Sequence, residues 1–102
     1  MAHTFTPPSI VVGMDGSRAA VAAALWAVDE AIGRGLALQL VAAAEPGTDA
    51  AAAEAAVRDG VAAVDSAGRR ELLEINATVI ADTPLGALLG ASRTAAMVCV
   101  GA

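Results

Sequence analysis

Few side chains in this sequence have the types and spacing that chemistry requires. There is one histidine, His3, one cysteine, Cys99, and no lysine among six basic residues, all of them arginine. His3 is far from Ser17, Ser66 and Ser92 in sequence and no other histidine can serve them as general base, so no hydrolytic triad can be drawn. Without lysine there is no P-loop, and Gly13-x-x-Gly16 lacks the internal spacing of a dinucleotide fingerprint. His3 lies in a Pro-rich leader with no second ligand near it, which speaks against a metal or catalytic role. Cys99 sits inside Met97-Val98-Cys99-Val100 and reads as a buried structural thiol. Asp15 is the sharpest candidate. A carboxylate only accepts hydrogen bonds, so a ligand meeting it must donate, as ribose hydroxyls or an exocyclic amine do. The same residue also suits a helix entry, where its charge favours the positive end of the helix dipole. Spacing alone leaves both roles open.

The elements that must position Asp15 follow from periodicity. Ile10-Val11-Val12-Gly13 is a short β-branched apolar run, the pattern of a strand buried on both faces. Met14-Asp15-Gly16-Ser17 is a turn, with Ser17 as N-cap. A helix is predicted from Arg18 to Arg34, with Val21, Leu25, Val28 and Ile32 as its buried stripe. Trp26 is expected to pack beside that stripe, and Gly35 to stop the helix. Leu36–Ala43 is the second strand, followed by the turn signal Pro46-Gly47. A second helix is predicted over about Ala50–Glu74, with Asp49 as its cap and a stripe of Val57, Val61, Val64, Gly68 and Leu72. Gly60 and Gly68 mark places where it would kink or break. Its other face carries the pairs Glu54/Arg58 and Asp65/Arg69. Ile75–Ala81 is the third strand. Asp82-Thr83-Pro84 starts a short helix that presents Leu85, Leu88 and Leu89 inward and ends near Arg93. Ala96–Val100 is the fourth strand.

The order βαβαβαβ with short connections predicts an α/β fold, a parallel sheet with helices on both faces. Ligands in such sheets sit beyond the carboxyl ends of strands, where strand order reverses. Candidate positions are therefore Gly13 to Ser17, Ala43 to Glu45, Asp82-Thr83 and Gly101-Ala102. The 102 residues suit one small domain. Apolar residues make up 57%, which excludes disorder as the ground state. A net charge of −5 and two aromatic residues, Phe5 and Trp26, argue against nucleic-acid binding. No window of 18 apolar residues predicts a membrane span, and residues 1–9 read as a disordered arm without the features of a secretory signal, so a cytoplasmic location is expected.

Ile10-Val11-Val12-Gly13-Met14-Asp15-Gly16-Ser17, followed by Ala24-Leu25-Trp26-Ala27-Val28-Asp29-Glu30-Ala31, resembles the opening of a universal stress protein domain of the actinobacterial type. Leu38–Ala43, Thr83–Leu89 and the closing Met97-Val98-Cys99-Val100-Gly101 are similar to its later elements, so the resemblance spans about Ser9 to Ala102. It implies a Rossmann-like, three-layer fold of the adenine-nucleotide α-hydrolase-like kind. The implied ligand is ATP or a related adenine nucleotide, with or without magnesium. The implied role is a stress response without catalysis, usually as a homodimer. By the same resemblance Asp15 contacts the adenosine moiety with Gly13 and Met14 beside it, Ala43 meets adenine through its backbone, and Val100 and Gly101 begin the phosphate side. The family pattern continues with a Gly-rich loop that cradles phosphates, a helix and a fifth strand. Residues 10–102 therefore read as a C-terminally truncated domain with four strands and weakened nucleotide binding. The rival expectation is a structural module that oligomerises through the edge of strand four and binds no nucleotide. A slow phosphohydrolase would need a metal or base that the residues do not offer.

Overall fold

The computed structural model describes residues 9–45, 47, 50–68, 74–83, 86–87, 90 and 95–100. Its elements in chain order are β1 (Ser9–Gly13), α1 (Arg18–Arg34), β2 (Ala37–Ala43), α2 (Ala51–Ser66), β3 (Ile75–Ile80) and β4 (Ala95–Val100). All strand pairs are parallel, in the order β3-β2-β1-β4. The chain thus steps β1, β2, β3 in one direction and returns to the far side of β1 for β4. Right-handed crossovers put connections running in one direction on one face and those running back on the other. The packing agrees. Ile10, Val12, Leu38, Leu40 and Ala42 meet both α1 and α2 on the first face. Val11 and Val41 meet Ala87, in the β3–β4 connection, on the second. This is the expected α/β architecture, and it explains the unbroken apolar run of β1, which is covered on both sides.

Ser9, expected in the disordered arm, is instead the first residue of β1 and is buried. Residues 1–8 lie outside the described set, as do Asp49, Leu72, Arg69, Leu85, Leu88, Leu89 and Arg93.

The helices keep their predicted starts, and α2 buries Val57 and Val64 as predicted, but the face of α1 and the end of α2 differ. In α1 the fully buried residues are Ala20, Ala24, Ala27, Val28 and Ala31. Val21 and Ile32 pack only partly against the cluster. Leu25 is 39% exposed and Trp26 52% exposed, so Trp26 is no core residue. The buried arc is rotated by about one residue position from the predicted stripe. The reason is steric: α1 is apolar nearly all round, and its alanine arc lets the helix axis approach the sheet more closely than Leu25 or Trp26 would allow. Gly35 ends α1 as predicted, at φ 67°, its N–H donating to the carbonyls of Ala31 and Ile32.

Helix α2 stops at Ser66, at the break expected near Gly68 and short of Glu74, because Gly68 takes φ 74°. Gly60 does not break it; the helix runs through that residue, which is buried. Its N-cap position is Ala50, which makes no side-chain cap bond. On α1, Arg34 and Glu30 form an i, i+4 ion pair at 3.8 Å, and Arg69 of the predicted Asp65/Arg69 pair lies outside the described residues.

Candidate functional site

Strand order reverses at β1, and the candidate residues gather there. Gly13 pairs with Val41 of β2 on one side and with Val100 of β4 on the other. The carboxyl ends of three neighbouring strands therefore bring together Gly13, Met14 and Asp15, Ala43 two residues beyond Val41, and Val100. Gly101 lies outside the described residues. Such a reversal of strand order is where an open parallel sheet takes a ligand.

The loop leaving β1 is pinned residue by residue. The Met14 N–H donates to the Val41 carbonyl at 2.7 Å, which extends the ladder one step beyond the strand. The Met14 side chain is buried on the first face, so only its backbone is available at the strand ends. Asp15 is exposed, and its Oδ1 accepts the Ser17 N–H at 2.9 Å. Gly16 between them has φ 86°, a conformation that a side chain would strain. Ser17 then caps α1, its Oγ accepting the Ala20 N–H at 3.1 Å. No acidic residue lies in the first turn of α1, which leaves Asp15 as the carboxylate at that positive end. The Ser17 hydroxyl, and after it the Ser17 N–H, hold the Asp15 carboxyl below its ordinary range. Asp15 therefore is a helix-entry residue. The Ser17 bond engages Oδ1, and a carboxylate has about four lone-pair sites, so capacity remains for a ligand donor.

The neighbouring strand ends are built in the same way. The Ala44 N–H donates to the Ile80 carbonyl at 2.8 Å, holding the end of β2 to the end of β3. Asp82 Oδ1 accepts the Thr83 N–H at 2.7 Å, and Thr83 Oγ1 accepts the Gly86 N–H at 3.1 Å, the cap expected from the sequence. A Cβ on Gly86 would stand 2.5 Å from both Asp82 carboxylate oxygens, so a side chain there would make the exposed Asp82 carboxylate turn away.

The first face holds a residue with no chemistry of its own that sequence reasoning missed. A Cβ on Gly60 would stand 2.9 Å from Met14 Cε and 3.1 Å from Leu40 Cδ1. Carbon atoms in normal contact are about 3.5–4.0 Å apart. The glycine read as a weak point of α2 is the notch that receives Met14. Alternation along β1, which puts Val12 and Met14 on one face, was the available signal.

Among the described residues no three metal-ligating side chains come together. Cys99 is half-buried against the first-face cluster; burial, and then the charge of Glu30, push its thiol up, so it is not an activated nucleophile. The chemistry on offer is recognition, by backbone groups at strand ends and by one exposed acceptor.

Residues 8–100 match the model of the universal stress protein family. The chain is 48% identical over 113 residues to universal stress protein Rv2028c of Mycobacterium tuberculosis, an alignment that covers 100% of this chain and 40% of that one. It is 44% identical over 101 residues to universal stress protein Rv3134c of the same organism, covering 91% of this chain and 37% of that one. The chain thus spans about 40% of the length of these relatives. Among solved structures, a universal stress protein in complex with cAMP superposes with a TM-score of 0.71 at 22% identity, over 89% of this chain and 73% of that one. The protein Rv1636 from Mycobacterium tuberculosis gives 0.68 at 24% identity, over 96% and 74%. These two likenesses show the fold.

Proposed function

The chain belongs to the universal stress protein family, and on that premise we propose that it binds an adenine nucleotide in the crevice between the carboxyl ends of β1 and β4. The observation that carries this reading is the reversal of strand order at β1, with Asp15 one residue beyond the Met14–Val41 bond. In this reading the Asp15 carboxylate accepts from ribose hydroxyls or the exocyclic amine. Backbone groups of Gly13, Met14 and Ala43 line the nucleoside side, and Val100 and Gly101 start the phosphate side. The cAMP complex of a protein with the same fold supports an adenine nucleotide as the ligand class.

Charge argues for weak binding of a triphosphate. The net charge is −5, and Asp15, Glu45 and Asp82 stand exposed after β1, β2 and β3. That field disfavours a polyanion more than a cyclic monophosphate. The function is recognition without catalysis, in a stress response, for a cytoplasmic homo-oligomer. Among the described residues no helix is long and apolar enough to cross a membrane.

Calorimetric titration of the 102-residue chain with adenosine, cAMP and ATP tests the reading. The expected result is one shared site, with ATP weaker than cAMP. Micromolar ATP affinity overturns the proposed weakness, and no binding of any of the three overturns the site.

A second reading rests on β4, which pairs with β1 alone among the described strands and exposes Val98 at 40%. Such an edge can pair with a second copy. Sedimentation showing an oligomer that ignores all three ligands favours this reading.

A further inference from the structure

Between the core of the first face and the proposed site, one contact links α2 to the Asp15 loop. Gly60 lies mid-helix in α2, where glycine is less favourable than alanine. That cost is offset only if the missing side chain is needed elsewhere, and the space above Gly60 is filled by Met14 Cε and Leu40 Cδ1. Met14 is only 4% exposed, so its flexible end can yield only by moving against the buried side chains around it. Its backbone is held at the same time by the 2.7 Å bond from its N–H to the Val41 carbonyl. The residue before Asp15 thus has two anchors, one on each side of the chain. Asp15 in turn is held by Ser17, which opens α1.

We propose that Gly60 is a positioning residue for the nucleotide site, setting the height of the Asp15 loop over the sheet through the Met14 side chain seated in its notch. This rests on the adenine-nucleotide reading above for its functional consequence, but the geometry of the loop is independent of any ligand. A methyl group at position 60 would push Met14 outward. Because the Val41 bond resists movement of the strand, the displacement passes to the next free bonds, those of Asp15 and Gly16. The Ser17 N–H to Asp15 bond then lengthens, and the acceptor leaves the place where a nucleoside donor meets it.

Gly60→Ala separates this role from a purely structural one, because helix propensity alone predicts a more stable protein. Two readouts are used on the 102-residue chain: the NMR amide signal of Ser17, and the affinity for cAMP. In Gly60→Ala the Ser17 signal is expected to move and the affinity to fall roughly five- to ten-fold, the loss expected when one hydrogen bond to a ligand is misplaced. Adding Met14→Leu, which removes the reach of Cε, is expected to return both readouts toward wild type. An unmoved Ser17 signal in Gly60→Ala overturns the inference, as does a shift that Met14→Leu leaves in place. If the wild type binds no cAMP, adenosine or ATP, the nucleotide reading fails, and a stationary or moving Ser17 signal still decides whether Gly60 positions the loop. Should Gly60→Ala not fold, Met14→Ala empties the notch without adding bulk. A displaced Ser17 signal then supports the coupling, and an unchanged one refutes it.

Discussion

Asp15 opens α1 and, in the proposed nucleotide site, accepts from the ligand, and the pair Asp15→Asn and Asp15→Ala separates these two roles. The structural purpose is small because the group is exposed. Its bond to the Ser17 N–H, at 2.9 Å, and its charge near the start of α1 are both screened by water. Asp15→Ala removes both and is expected to cost about 0.5–1 kcal/mol. For a domain of this size that lowers the melting temperature by about 2–8 °C. Asp15→Asn keeps an oxygen that can accept from Ser17 and loses only the charge, about 0.3–0.5 kcal/mol. The effect expected for the proposed binding role is larger. A hydrogen bond to a charged acceptor contributes about 1.5–3 kcal/mol and one to a neutral acceptor about 0.5–1.5. Affinity for cAMP should therefore fall roughly five-fold in Asp15→Asn and about ten- to a hundred-fold in Asp15→Ala. Thermal unfolding and calorimetric titration of the same samples give both numbers. Variants that melt lower yet bind as the wild type does would show that Asp15 only opens the helix. Acid supplies a check without ligand. The folded-state carboxyl is depressed by the Ser17 hydroxyl and N–H, so its contribution to stability is present above the unfolded value, about pH 4, and is lost as pH falls through the folded value. The stability gap between wild type and Asp15→Ala should be constant near neutrality and narrow below about pH 4.

Two further outcomes follow from the packing. Trp26 is the sole tryptophan and is 52% exposed, so its native emission should be quenched by acrylamide nearly as in the unfolded chain. Trp26→Ala should cost about 1.5 kcal/mol or less, against about 3–5 for a core tryptophan; a blue-shifted, unquenched emission would refute its placement. Cys99 should react with a thiol reagent at neutral pH more slowly than in the unfolded chain, because burial and then Glu30 disfavour the thiolate. Glu30→Gln should quicken it slightly, and a native rate equal to the unfolded rate would contradict the half-buried position.

The sequence by itself determined what short-range forces control. The β-branched run ending at Gly13 marked β1, the apolar run after Gly35 marked β2, and Ser17 and Thr83 announced caps that the backbone uses. Residues adjacent in the chain set these features, so their signals survive without tertiary context. Tertiary structure decided which neighbour each element would have. An alanine-rich helix such as α1 offers several apolar arcs of similar hydrophobicity, and only contact with the sheet selects the arc that lets the axes come close, leaving Trp26 outside. Gly60 looked like a defect of α2 because its cost is local, while its use, the space filled by Met14 and Leu40, comes from strands far away in sequence. The placement of β4 beside β1 has the same origin, and it brings three scattered strand ends side by side. Close packing acts between surfaces, and a surface exists only once the chain has folded.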